Sequence, residues 1–388
     1  MSLRDHRETH RASTPLELLF DLCFAVSVAV LADQLFHTVM AGHALDGAIR
    51  YVLLFIPIWW TWMLFSWFAT AFDNDDVTYR VLTLVQMGGA LGIAASMPAA
   101  YQDNYLPLTL TYAAARVPLV LLWIRGARSH PSERTFATRY AKGIAATTVL
   151  WLLMLLVPLP LRYVGYVVTI VLELMVPRWA VAGRNSQIFH AGHITERYGL
   201  FTLIVLGESL LAATIAIQNS FSQGITPPLL VIGGAALVSA FAVWWLYFDF
   251  VDGRALMAST GVAFKWGYGH LLVFASIGAM GGGAEVAVDA YQHHQFGLSQ
   301  QLAIGLPAAT CVAAMAWIRS LSKGAEAYLT FGRLAWAALI VIAAVVAGAG
   351  GPAATAVAVA AVLVVQAAAE TVWRGLRLEL PAPAVDEH

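Results

Sequence analysis

Apolar stretches of about twenty residues, parted by short polar connectors, follow one another along nearly the whole chain. A helix of that length crosses the hydrocarbon of a bilayer. The pattern predicts spans at 16–40, 47–71, 79–100, 105–125, 141–158 and 161–179, then at 196–217, 228–250, 266–284, 301–319, 332–349 and 353–374. The expected fold class is therefore an all-α polytopic membrane protein with about twelve transmembrane helices.

The second half of the pattern echoes the first. Leu122-Trp123-Ile124-Arg125 returns as Ala316-Trp317-Ile318-Arg319, and Trp59-Trp60 returns as Trp244-Trp245. Thr14-Pro15-Leu16-Glu17 faces His193-Ile194-Thr195-Glu196, Phe136 and Arg139 face Phe331 and Arg333, and Glu173 with Arg178 faces Glu370 with Arg374. Five echoes in one order predict two homologous six-helix repeats, 1–180 and 181–376, followed by a short tail at 377–388. An even number of spans per repeat inserts both halves the same way, relating them by an axis along the membrane normal.

Composition and charge fit this reading. The chain is 60% hydrophobic and only 12% charged, with a mean hydropathy of +0.71, outside the range of soluble domains. Of its 22 Lys and Arg, nineteen fall on the side shared by both predicted termini, two (Arg50 and Arg162) on the other, and Arg116 inside a span. Such a bias predicts cytoplasmic termini. The first span is too long and too acidic for a secretory signal. Cys23 and Cys311 fall in different spans and read as packing residues. Nothing points to nucleic acid, a cofactor or a nucleotide loop; the expected partners are the bilayer and a small molecule or lipid.

An ionisable side chain in hydrocarbon costs about 2.5–3.5 kcal/mol on insertion scales, so each one in a span calls for a partner, a cavity or a task. The first span carries Glu17 and Asp21 one turn apart, then Asp33 and His37 near its other end. Arg116 falls midway along the fourth span and Glu173 near the cytoplasmic end of the sixth. Glu196 opens the seventh and Glu208 lies about 18 Å further along it. Asp249 and Glu370 close the eighth and twelfth. Charges near helix ends can reach water or complement the helix dipole, whereas Arg116 and Glu208 are central: either static salt bridges or titratable groups in a polar cavity. The repeat separates the two kinds. Glu17 and Glu196 are doubled, but Asp21, Arg116 and Glu208 map onto Leu200, Thr310 and Ala29. Doubled residues suit packing; single ones suit one site.

Aromatic residues crowd two corresponding spans: Trp59, Trp60, Trp62 and Trp67 in the second, Trp244 and Trp245 in the eighth. They suit core packing, an interface belt, or a wall that binds a cation or flat apolar ligand through ring faces. His190, His193 and Glu196 are spaced like metal ligands, yet a loop histidine pair is commonplace and no metal is expected. Pro118, Gly88-Gly89 and Gly281-Gly282-Gly283 are the candidates for broken helices.

Two stretches resemble a known family. Thr14-Pro15-Leu16-Glu17-Leu18-Leu19-Phe20-Asp21-Leu22-Cys23-Phe24 is similar to the opening motif of the low-temperature-requirement A (LtrA) membrane proteins, roughly Pro-Leu-Glu-Leu-Phe-Phe-Asp-Leu-x-Phe. His193-Ile194-Thr195-Glu196-Arg197-Tyr198-Gly199-Leu200-Phe201, running into Leu206-Gly207-Glu208-Ser209, is similar to a second motif. The resemblance spans about residues 10–375, with Leu19 and Cys23 as conservative departures. It implies a polytopic inner-membrane protein linked by name to growth in the cold, supplies no biochemical activity, and picks out Glu17, Asp21, His193, Glu196, Arg197 and Glu208.

Three functions are compatible with these residues. A proton-coupled secondary transporter would use Glu17, Asp21, Arg116, Glu173, His193, Glu196, Arg197 and Glu208 as its substrate and proton site. A membrane-embedded enzyme acting on an isoprenoid or lipid would use Asp21 or Glu208 as general acid beside the tryptophan wall. A sensor or scaffold would need the buried charges only for structure.

Overall fold

The computed structural model describes residues 2–3, 13–183, 189–222, 224–250, 253, 256, 259–322 and 327–379. In chain order its helices are α1 (Pro15–Met40), α2 (Ala44–Ala71), α3 (Val77–Tyr101), α4 (Leu106–Ser129), α5 (Arg134–Met154) and α6 (Leu161–Val181), then α7 (Ala191–Ser222), α8 (Pro227–Phe250), α9 (Thr260–His293), α10 (Leu298–Ser320), α11 (Ala327–Ala347) and α12 (Gly351–Glu379). Backbone groups in hydrocarbon must be satisfied within their own segment, and helices do this. Apart from them the described residues show one short antiparallel pairing, Ser2–Leu3 against Phe72–Asp73.

Among the described residues, ten stretches are long and apolar enough to cross a membrane. Twelve were predicted, and two local causes account for the difference. α5 is not among the ten; Arg134, Arg139 and Lys142 occupy its first turns. Thr330–Trp373 counts as one stretch of 44 residues, about 66 Å if straight and twice the hydrocarbon thickness. It is not straight: a 3-10 turn at Gly348–Gly350 and Gly351, at φ +85, separate α11 from α12, and the two helices pack against each other. A left-handed backbone is open to glycine without steric cost, which explains why the chain reverses there.

The chain divides into two compact units, Met1–Val205 with Gly253–Gly278 and Leu206–Asp252 with Ala279–His388; the boundaries run through α7 and α9. In the first unit, α2 has no free side from Leu54 onward. From Leu54 to Phe72 every residue except Ile56 is buried, as expected of a helix apolar all round. α1, α3 and α4 pack on it, Tyr51 donates a hydrogen bond to the Ala275 carbonyl at 2.7 Å, and Trp67 Nε1 donates to Tyr198 Oη at 3.1 Å. α6 does the opposite. Val164, Val167, Val168, Val171, Leu172 and Met175 recur at helical spacing and are all exposed, an apolar outer stripe that suits lipid rather than water.

Pro118, Gly88-Gly89 and Gly281-Gly282-Gly283 lie inside α4, α3 and α9 without interrupting them. Two of these glycines serve close packing instead. A Cβ on Gly89 would sit 2.6 Å from Cα of Ala115 on α4, and one on Gly283 would sit 2.5 Å from the Ala303 carbonyl oxygen on α10. Small residues at helix contacts bring backbones together in this way. Gly89→Ala therefore drives a methyl into backbone that has nowhere to go. We expect a loss of about 1–3 kcal/mol, read as a lower unfolding temperature in detergent, with Gly88→Ala, which meets nothing within 4 Å, as the control.

In the second unit, α8 and α11 pack on α12, and α10 on α11. Arg333 Nη2 donates to Glu370 Oε2 at 2.6 Å, its Nε lies 3.0 Å from the same oxygen, and Gln366 Nε2 donates to Glu370 Oε1 at 2.8 Å. Glu370 is thus satisfied within the protein and stays buried.

Candidate charge cluster of the first unit

The Thr-Pro-Leu-Glu start of α1 is a capping box. Thr14 is the N-cap, Pro15 takes the first turn where no backbone donor is needed, and Glu17 reaches back so that its Oε2 accepts from Thr14 N at 2.8 Å. That leaves Glu17 Oε1 pointing the other way. At the start of α7, His190 Nδ1 accepts from the backbone N–H of His193 at 3.1 Å, so this histidine serves as a cap. Its spacing to His193 and Glu196 has a structural use, and the His193 ring turns elsewhere. Asp21 lies six residues beyond Pro15 and Arg197 six beyond Ala191, each about 9 Å into its helix.

Three helices of the first unit each supply a pair at i, i+4 spacing, which stacks side chains on one face. α1 gives Glu17 and Asp21, α2 gives Ser66 and Thr70, and α7 gives His193 and Arg197. The outer layer joins Glu17, His193 and Thr70: His193 Nε2 lies 3.4 Å from Glu17 Oε1, and its Nδ1 lies 2.8 Å from Thr70 Oγ1. In the inner layer Arg197 Nη2 donates to Asp21 Oδ1 at 2.5 Å and to Ser66 Oγ at 3.3 Å. Trp62 Nε1, one turn before Ser66 on α2, also donates to Asp21 Oδ1, at 2.7 Å. Arg197 Nη1 ties the layers together at 3.7 Å from Glu17 Oε1. All four ionisable members are 0–2% exposed.

The cluster is under-satisfied. Among the described residues, Asp21 Oδ2 and Arg197 Nε and Nη1 are buried with no hydrogen-bond partner. Its charges also fail to cancel by themselves: two carboxylates meet one guanidinium and one imidazole. In a medium of low dielectric constant a net charge of −1 is costly. One bound proton makes the sum zero.

Aromatic rings enclose this arrangement. Trp62 stacks on Phe201 at 4.4 Å and meets Tyr198 edge-on at 4.9 Å; Phe20 stacks on Phe65 at 4.0 Å. Trp62 thus seats its rings against other rings and gives its N–H to a carboxylate. Trp59 and Trp60 both meet the edge of Tyr268, and Trp67 holds Tyr198. In the second unit Trp244 and Trp245 turn outward, 43% and 47% exposed, and Trp245 Nε1 donates to Thr371 Oγ1 at 3.0 Å.

The remaining predicted residues lie elsewhere. Arg116 pairs with Glu173, donates to Thr147 Oγ1 at 2.7 Å and to the Ile144 carbonyl at 3.3 Å, while Tyr112 Oη donates to Glu173 Oε2 at 2.9 Å. This is a charge-balanced buried pair of α4 and α6. Glu196 is half-buried and accepts the backbone N–H of Ser13 at 2.8 Å. Glu208 is half-buried in the second unit opposite Gly281; next to it, Ser209 and Ser239 are the hydroxyls lining a cleft whose other walls are apolar. Ser66 and Thr70 were not singled out from the sequence. The only trace of them was their i, i+4 spacing in a span already crowded with tryptophan.

Comparison with known proteins follows the same residues. The sequence model of a family described as "Bacterial low temperature requirement A protein (LtrA)" matches residues 12–368. The chain is also similar to the uncharacterized protein RA0937 of Rhizobium meliloti (strain 1021), 24% identical over 297 residues that cover 71% of this chain and 70% of the relative.

Proposed function

The chain belongs to the bacterial low temperature requirement A family of multi-pass membrane proteins, and we propose that it is a proton-coupled secondary transporter of a small molecule. One observation carries this reading: the buried Glu17–Asp21–His193–Arg197 cluster is electrically neutral only with a proton aboard. A group that must gain or lose a proton within the bilayer is what couples a proton gradient to a change of state. Near-zero exposure of all four members fits an occluded form. Arg116 with Glu173 needs no proton for neutrality, so in this reading it braces the scaffold rather than joining the site.

The two-repeat arrangement, 1–180 and 181–376, belongs to the same proposal, as do the inner-membrane location and cytoplasmic termini. Lysine and arginine asymmetry along the sequence supports the orientation. In support of the repeat, Glu173 on α6 and Glu370 on α12, which correspond in sequence, are each buried against an arginine of their own unit.

Proteoliposomes holding a pH-sensitive dye test the proposal. Fractions of a bacterial small-molecule extract are added outside, and internal pH is followed. At least one fraction should drive proton movement through the wild-type protein, with the signal lost in Asp21→Asn. If no fraction moves protons in a correctly folded wild-type preparation, the transporter reading fails.

A further inference from the structure

The outer layer of the cluster contains one hydroxyl with two places to put its hydrogen. Thr70 Oγ1 lies 3.0 Å from the Ser66 carbonyl oxygen and 2.8 Å from His193 Nδ1. A hydroxyl has one hydrogen to donate and lone pairs to accept. When that hydrogen goes to Ser66, Thr70 must accept, so His193 carries a hydrogen on Nδ1. His193 Nε2 then faces Glu17 Oε1 at 3.4 Å, where two lone pairs would repel; a second hydrogen lies between them. This is the loaded form, an imidazolium between a carboxylate and a hydroxyl, and it makes the four-residue cluster neutral. When the Thr70 hydrogen goes to Nδ1 instead, His193 is neutral with its hydrogen on Nε2, still directed at Glu17.

We infer that Thr70 is the positioning residue of the proton site, a hydroxyl whose rotation lets the Glu17–His193 pair load and unload one proton with its heavy atoms in place. On unloading, in a state that opens the occluded cluster to water, the Nδ1–H bond breaks, a water molecule takes up the proton, and the Thr70 hydrogen turns from Ser66 to the vacated lone pair. The Ser66 carbonyl loses little, because it remains within the hydrogen-bonded run of α2. Among the groups facing His193 are Glu17 from α1 with Asp21 one turn deeper, uncharged Thr70 from α2, Arg197 on its own helix, and His190 just before that helix, which accepts its backbone N–H. Of these only Thr70 offers both an acceptor and a donor to Nδ1. This inference rests on the cluster's being the proton site proposed above.

The test is 15N NMR of histidine-labelled, full-length protein in lipid, with the His193 signals identified by their loss in His193→Asn. Wild-type protein should show both nitrogens protonated at neutral pH and the Nε2–H tautomer at high pH. A hydrogen bond to a charged group is worth more than one to a neutral group by about 1–1.5 kcal/mol. Thr70→Val, which keeps the shape and removes the hydroxyl from both forms, should therefore cut the imidazolium-to-neutral ratio at neutral pH about five- to tenfold. Thr70→Ser should restore it, which a merely structural role would not require. A wild-type titration retained in folded Thr70→Val, or an Nδ1 never protonated in the wild type, overturns the switch without touching the transporter reading. Absent proton flux in the liposome assay would sink that reading while leaving the nitrogen assignments measurable.

Discussion

Arg197→Met should remove most of the folded protein from a detergent extract. The guanidinium is fully buried and faces both Asp21 and Glu17. Its loss strands two carboxylates in a medium that hydrates neither, with only His193 to offset them. Removing one partner of a buried ion pair costs about 3–5 kcal/mol, a large part of the roughly 5–15 kcal/mol that holds an ordinary domain together. The measurement is the unfolding temperature by tryptophan fluorescence, alongside the monodisperse fraction on size exclusion. The double variant Asp21→Asn/Arg197→Met should recover more than half of the loss, because Glu17 with protonated His193 is then neutral by itself. An Arg197→Met protein as stable as wild type would mean that the cluster is hydrated, and the charge argument for a bound proton would fall with it.

Glu173→Leu is expected to do comparable damage without bearing on protons. It leaves Arg116 with Thr147 and the Ile144 carbonyl as acceptors for a full positive charge, and it takes the acceptor of Tyr112 away. The cost is again about 3–5 kcal/mol. The informative comparison is with Arg116→Leu/Glu173→Leu. Replacing a whole buried pair by apolar side chains is often neutral or stabilising, so the double variant should unfold close to wild type and should still move protons in liposomes. If it folds but moves none, the pair belongs to the functional site after all.

Much of the cluster was legible before the fold was known, and the gaps have physical causes. Glu17 and Asp21 stand out because carboxylates one turn apart in an apolar span are costly wherever they end up. Arg197 did not stand out on cost, since it lies near a predicted helix end where an arginine can snorkel; only the motif flagged it. Its pairing with Asp21 joins residues 176 apart in sequence, and no local pattern encodes that. Ser66 and Thr70 were invisible because hydroxyls in apolar helices routinely bond the carbonyl four residues back. Both do so here, to Trp62 and Ser66, while also serving the cluster. The tryptophans show the converse problem. α2 and α8 have similar composition, yet Trp59, Trp60, Trp62 and Trp67 are buried whereas Trp244 and Trp245 face outward. Lipid tails are as apolar as a protein interior, so hydrophobicity alone does not tell a lipid-facing side from a packed one. Helix limits went astray at α5 for a related reason: hydropathy marks the part suited to hydrocarbon, and the helix begins seven residues earlier, at Arg134 rather than at the predicted 141.

The burial of α2 from Leu54 onward has a bearing on how the membrane acts on this protein. Changes in bilayer thickness or stiffness work through surfaces that touch lipid, by tilting helices or stretching the lipid around them. α6, with its stripe of exposed valines, offers such a surface. Along Leu54–Phe72, α2 offers almost none, and Trp62, Ser66 and Thr70 sit on that stretch. The bilayer therefore addresses the hydroxyl ladder at second hand, through the helices around it. Lipids of different chain length should alter how readily those helices shift while leaving the hydrogen-bonding ladder of α2 in register.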